Sequence, residues 1–129
     1  MGLKATAADQ RGVGSATTAD PRNEVRLVGR LAAPAQERTL PSGEVLSLWR
    51  VVVARPPTPV PEGVRVQTVD TLECVTRRPG LRRTAAAWAA GDVIEVEGSL
   101  RRRFWRSPGG PASRYEVEAV RAKRVAKAP

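Results

Sequence analysis

The chain has 129 residues, one cysteine, no histidine and a formal charge of +9 from 22 basic against 13 acidic side chains. That length suits one domain with its own core, while the Cys/His inventory excludes an internal disulfide, a Cys/His zinc cluster and catalysis through a histidine base. No run reaches the ~18 apolar residues of a membrane span and no signal-peptide stretch follows Met1, so a soluble, cytoplasmic, non-enzymatic protein without metal or cofactor is expected.

Residues 1–22 are small and polar, with almost nothing to bury, and read as a disordered lead-in to a domain over residues 23–125. Val25, Leu27, Gly29 and Leu31 alternate with Glu24, Arg26, Val28 and Arg30, the period of a half-buried strand. Leu40-Pro41-Ser42-Gly43 has turn chemistry, and the β-branched run from Glu44 to Arg55 predicts a second strand. Pro56, Pro57, Pro59, Pro61 and Gly63 make a loop, followed by a third strand over residues 66–77. Leu81, Thr84/Ala85 and Trp88 fall on one helical stripe, with Pro79 suited to the helix entry and Gly91 to the position just past its end. A fourth strand from Val93 to Arg106, a Ser107–Pro111 loop, a fifth strand from Arg114 to Val125 and a tail over 126–129 complete the chain. The class is all-β with one short helix. The order β-β-β-α-β-β is that of the five-stranded OB-fold Greek-key barrel, which binds oligonucleotides or oligosaccharides on one face.

The charge is uneven. Residues 77–106 hold eight arginines against Asp92, Glu95 and Glu97, and nineteen of the 22 bases are arginine, whose planar fork pairs with phosphate and stacks on flat rings. A GC-rich genome would enrich the same residue types. In the fourth strand Ile94, Val96, Gly98 and Leu100 share the interior parity, leaving Arg101, Arg103 and Trp105 together on the outer one. Trp49 and Trp88 read as core. Arg50, of opposite parity to Trp49, points outward, and Arg77, Arg78, Arg82 and Arg83 flank the helix entry. Glu95/Glu97 and Glu116/Glu118 each share a face, where they could hold Mg²⁺ or pair with neighbouring arginines; the second reading is preferred. Cys74 reads as a small core residue.

Three stretches, NEVRLVGRL (23–31) with Arg38 and Pro41-Ser42-Gly43, AGDVIEVEGSLRRRFW (90–105) and SRYEVEAVRAKRV (113–125), resemble bacterial single-stranded DNA-binding proteins, in a form like an actinobacterial paralogue without the acidic tail. The resemblance implies an OB domain that assembles as a homotetramer or dimer and wraps single-stranded DNA with little sequence preference. It also implies service in replication, recombination or repair at the nucleoid. It places the family's stacking tryptophan on Trp105 and basic contacts on Arg101, Arg103 and Arg38. Where relatives often carry aromatics in the third strand, this chain has Thr71 and Arg77, which leaves stacking capacity thin. Its basic ending, VRAKRVAKAP, predicts no tail-docked partners. The candidate set is therefore Trp105, Arg101, Arg103, Arg38, Arg50 and Arg77. An RNA-binding OB domain and a protein-assembly module with an arginine surface are the alternatives.

Overall fold

Alternation of apolar and polar residues builds most of the molecule. The computed structural model describes residues 19–129, so the expected lead-in at residues 1–22 lies almost wholly outside the described residues. Strands β1 (Val25–Leu31), β2 (Gln36–Thr39), β3 (Val45–Ala54) and β4 (Val69–Thr76) precede helix α1 (Pro79–Ala86), and β5 (Val93–Ser107) and β6 (Gly110–Ala126) follow it. The hydrogen-bonded order β1-β5-β6-β4-β3-β2 is closed by a second pairing of β1, to β3. Five strands thus form a barrel and β2 lies outside the ring on the edge of β3. This is the expected five-stranded OB barrel, with the helix between its third and fourth strands.

Closure depends on Gly29. Just past it, at Arg30, β1 is paired to β5 and β3 at once before continuing on β3, and a Cβ on Gly29 would fall onto the Val52 carbonyl. The core behind the ring comprises Leu31, Trp49, Val51, Cys74, Ile94, Val96, Val117 and Ala119, plugged at one end by Leu81, Ala85 and Trp88. Trp49 and Trp88 meet edge to face at 5.3 Å, so both tryptophans are core, as expected. Cys74 is buried with them. Burial first, then the nearby Glu116 and Glu73 carboxylates, pushes its thiol up to about 12, which leaves it inert at neutral pH.

The boundaries differ from expectation in instructive places. Strand β2, QERT, is exposed along its whole length and shows no apolar alternation; it needs only the main-chain edge of β3. The helix ends at Ala86 rather than near Ala90. The Trp88 N–H turns back to the Ala85 carbonyl and the Ala89 N–H is taken by the Asp92 carboxylate at 2.8 Å, so Gly91 (φ 89°) belongs to the turn into β5 and not to the helix end. Strand β6 starts at Gly110, four residues early, because Pro108-Gly109 makes a tight turn closed by Ser107 Oγ donating to the Gly110 carbonyl. The expected tail is also tied down: the Ala128 N–H donates to Asp92 at 2.8 Å. Leu100, expected inside, has the interior parity but is 44% exposed, because β5 and β6 run past the end of the barrel as a two-stranded arm.

Among the described residues no helix is long and apolar enough to cross a membrane.

Candidate nucleic-acid interface

Cross-strand partners in a ladder share a face. The pairs Arg38↔Leu46, Gln36↔Leu48 and Arg50↔Glu73 put the β2, β3 and β4 candidates on the outer side of the barrel, opposite the Trp49↔Cys74 pair that faces the core. Parallel pairing of Val75 with Glu118 carries the same side onto β6. Arg101↔Glu116, Arg103↔Arg114 and Trp105↔Ala112 carry it onto the arm. Arg77 follows β4 by one residue and reaches Glu118 and Glu44 on this side, at 3.8 and 3.2 Å. All six candidates therefore occupy one continuous face, β2-β3-β4-β6-β5.

Their electrostatic states differ. Arg101 Nε donates to Glu118 at 2.9 Å, and that bond, aided by Arg103 and Arg77, holds the Glu118 carboxyl below the usual carboxylate range. Arg103 Nε lies 2.7 Å from Glu116, a buried carboxylate, and that bond raises the guanidinium further above its ordinary value. Three of the candidates, Arg77, Arg101 and Arg103, are thus held by Glu44, Glu116 and Glu118. Arg38 and Arg50 are exposed and make no ion pair among the described residues.

Arg38 and Arg50 line a cleft of about 150 Å³, together with Gln36, Leu48, Glu73 and Arg114. Trp49 also borders it, and its buried indole N–H has no partner among the described residues. At the arm's side of this cleft Arg114 reaches Glu73 (3.5 Å) and Glu116 (3.7 Å), and its guanidinium lies 5.8 Å from the centre of the Trp105 ring. Trp105 is 46% exposed. A flat ring half open to solvent thus stands beside Arg114, which borders the same cleft as Arg38 and Arg50; rings and guanidiniums in such proximity suit an unpaired strand.

Sequence reasoning passed over Arg114, Glu73, Phe104 and Tyr115. The signal for three of them was present: the chain from Leu100 to Tyr115 has no acidic residue, five arginines and three aromatics. The other carboxylate pair, Glu95 and Glu97, is engaged by Arg26 and Lys123 and by Arg121 respectively, as preferred.

No protein-family model and no curated protein matches the sequence. Solved structures do share the fold. The Plasmodium falciparum SSB in complex with ssDNA superposes with a TM-score of 0.65 over 83% of this chain and 96% of that one, at 15% identity. The small single-stranded DNA-binding protein from Streptomyces coelicolor gives a TM-score of 0.57 over 78% of this chain and 92% of that one, at 20% identity.

Proposed function

We propose that this chain binds single-stranded DNA, without catalysis and with little sequence preference, along the outer β2-β3-β4-β6-β5 face. Bases stack on Trp105, and phosphates meet Arg38 and Arg50 first, with Arg114 beside the ring still shared with Glu73 and Glu116. The observation that carries this reading is the half-exposed indole set beside Arg114, a guanidinium that lines one cleft together with Arg38 and Arg50, which make no ion pair among the described residues. A stacked base is worth about 1–3 kcal/mol and the ring accepts any base, so such a track gives affinity without reading sequence. Arg77, Arg101 and Arg103 are oriented by carboxylates and join only when phosphate displaces Glu44, Glu116 or Glu118. Replication, recombination or repair is the setting this activity fits. Self-association is part of the proposal, since β2 and the arm leave strand edges that a second copy would cover.

Titration of tryptophan fluorescence with oligo-dT tests the reading. Two of the three tryptophans are buried, so quenching reports Trp105. Quenching at low salt that Trp105→Ala removes is the expected result; no change in fluorescence together with no binding of labelled oligo-dT would refute it. Equal affinity for oligo-U would widen the ligand to RNA, because stacking and phosphate contacts barely register the ribose hydroxyl.

A further inference from the structure

The arm has a second side. While Trp105, Arg101 and Arg103 take the face just described, the register sends Arg102, Phe104, Arg106 and Tyr115 to the opposite one. Phe104 is 69% exposed and Tyr115 58% exposed, the highest values among the chain's large apolar side chains in the described residues. They flank one guanidinium: Arg102 lies 4.8 Å from the centre of the Phe104 ring and 5.5 Å from that of Tyr115. Two weak donations to Ser113 Oγ, at 3.2 and 3.3 Å, hold it there. Neither Arg102 nor Arg106 makes an ion pair among the described residues, and no acidic residue lies between Leu100 and Tyr115.

We infer that this side is a second stacking surface for single-stranded nucleic acid, so that one strand engages both sides of the arm. The inference rests on the function proposed above and adds to it a site of three residues, Phe104, Arg102 and Tyr115. A folding role does not account for them, because rings this exposed bury little against the ladder. Leu100 also lies open on this side, but two guanidiniums with no ion pair among the described residues, beside two open rings, complement a polyanion with flat bases. The two sides also differ in availability. On the Trp105 side Arg101 and Arg103 are held by Glu118 and Glu116; on the Phe104 side no carboxylate among the described residues pairs with Arg102 or Arg106.

The test uses the whole chain and oligo-dT of graded length. Phe104→Leu/Tyr115→Leu keeps apolar side chains suited to a strand but removes both stacking faces. It is expected to bind the shortest oligomers and quench Trp105 as the parent does, yet to lose at least about tenfold in affinity for longer ones, with a shorter occluded length. Trp105→Ala, which loses the first stacking ring, is expected to bind labelled oligo-dT more weakly than the parent yet measurably by anisotropy. If the double variant matches the parent at every length while Trp105→Ala binds nothing, the second surface is disproved and the function on the first face stands. If the double variant instead loses self-association with unchanged affinity per site, a second copy of the chain occupies this side and the inference is wrong. A parent that binds no oligo-dT at any length overturns both readings together.

Discussion

Strands β5 and β6 build two regions with the same ladder and opposite economies. In the barrel half, Ile94 and Val96 of β5 and Val117 and Ala119 of β6 are buried beneath β1, β4 and α1. In the arm, Leu100, Phe104, Trp105 and Tyr115 continue the alternation but stand open. The ladder runs from Val93↔Ala126 to Ser107↔Gly110, with register shifts at Val93/Ile94 and Glu97/Gly98 in the barrel half and a regular register from Gly98 to the tip of the arm. Poorer strand pairing is therefore not what sets the arm apart. The difference lies in what packs across the strands, and in carboxylates. Glu95 and Glu97 balance the barrel half of β5. Beyond Leu100 that strand carries four arginines and no carboxylate, and is met only at its root by Glu116 and Glu118 of β6. On the proposed function the first region carries stability and the second carries base stacking, so substitutions should separate the two.

The widest separation is between tryptophans. Trp88→Ala removes a ring buried against Trp49 and should destabilise the fold by about 3–5 kcal/mol in urea unfolding. Trp105→Ala should stay within about 0.5 kcal/mol of the parent, because an exposed ring on the arm has no cavity to leave. Equal losses for the two would mean that the arm is part of the cooperative core.

Acid should strike the barrel end next. Asp92 is buried and accepts from the Ala89 and Ala128 N–H groups and from Arg124, and these bonds hold its carboxyl below the ordinary range. A carboxylate whose folded-state pKa lies below its unfolded value contributes stability that is complete above the unfolded value. That contribution is lost as pH falls through the folded one. Thermal melts should thus be level from neutral pH to about pH 5 and fall by several degrees below pH 4. Asp92→Asn should lower the neutral plateau and flatten that decline. Glu118, held down by Arg101, adds a smaller loss of the same sign at the root of the arm. An acid decline as steep in Asp92→Asn as in the parent would place the titrating groups elsewhere.

These contrasts show which features the sequence displays openly. Alternation located β1, β3, β4, β5 and β6, and the spacing of Leu81, Ala85 and Trp88 located the helix. Alternation states which side a residue takes, however, and not whether anything covers that side, so Leu100 was expected inside. Strand β2 carries no apolar signal because its partner is a backbone edge. At the site, Trp105 and the outward side of Arg50 were legible from parity alone. Sorting the arginines was not, since Glu116 and Glu118 come within reach of Arg101, Arg103 and Arg77 only through pairing between distant strands.

The smallest effects separate arginines on the same face. Arg103→Ala leaves Glu116 buried with only Arg114 nearby, at 3.7 Å, and should cost about 1–2 kcal/mol of stability, moderated by the partial exposure of the Arg103 side chain. Arg50→Ala removes an exposed guanidinium with no ion pair among the described residues and should leave stability nearly unchanged. Binding should rank them the other way. Each phosphate neutralised on a single strand contributes a slope of about −0.7 to log K against log salt. Losing Arg50 or Arg38 should therefore shallow that slope by about 0.7 each. Losing Arg103 should change it less, because a phosphate that reaches Arg103 must first displace Glu116 and so releases less net charge. Salt titrations of the three variants against one oligo-dT length decide the matter: a full 0.7 lost with Arg103 would show that the buried carboxylate yields its partner on binding.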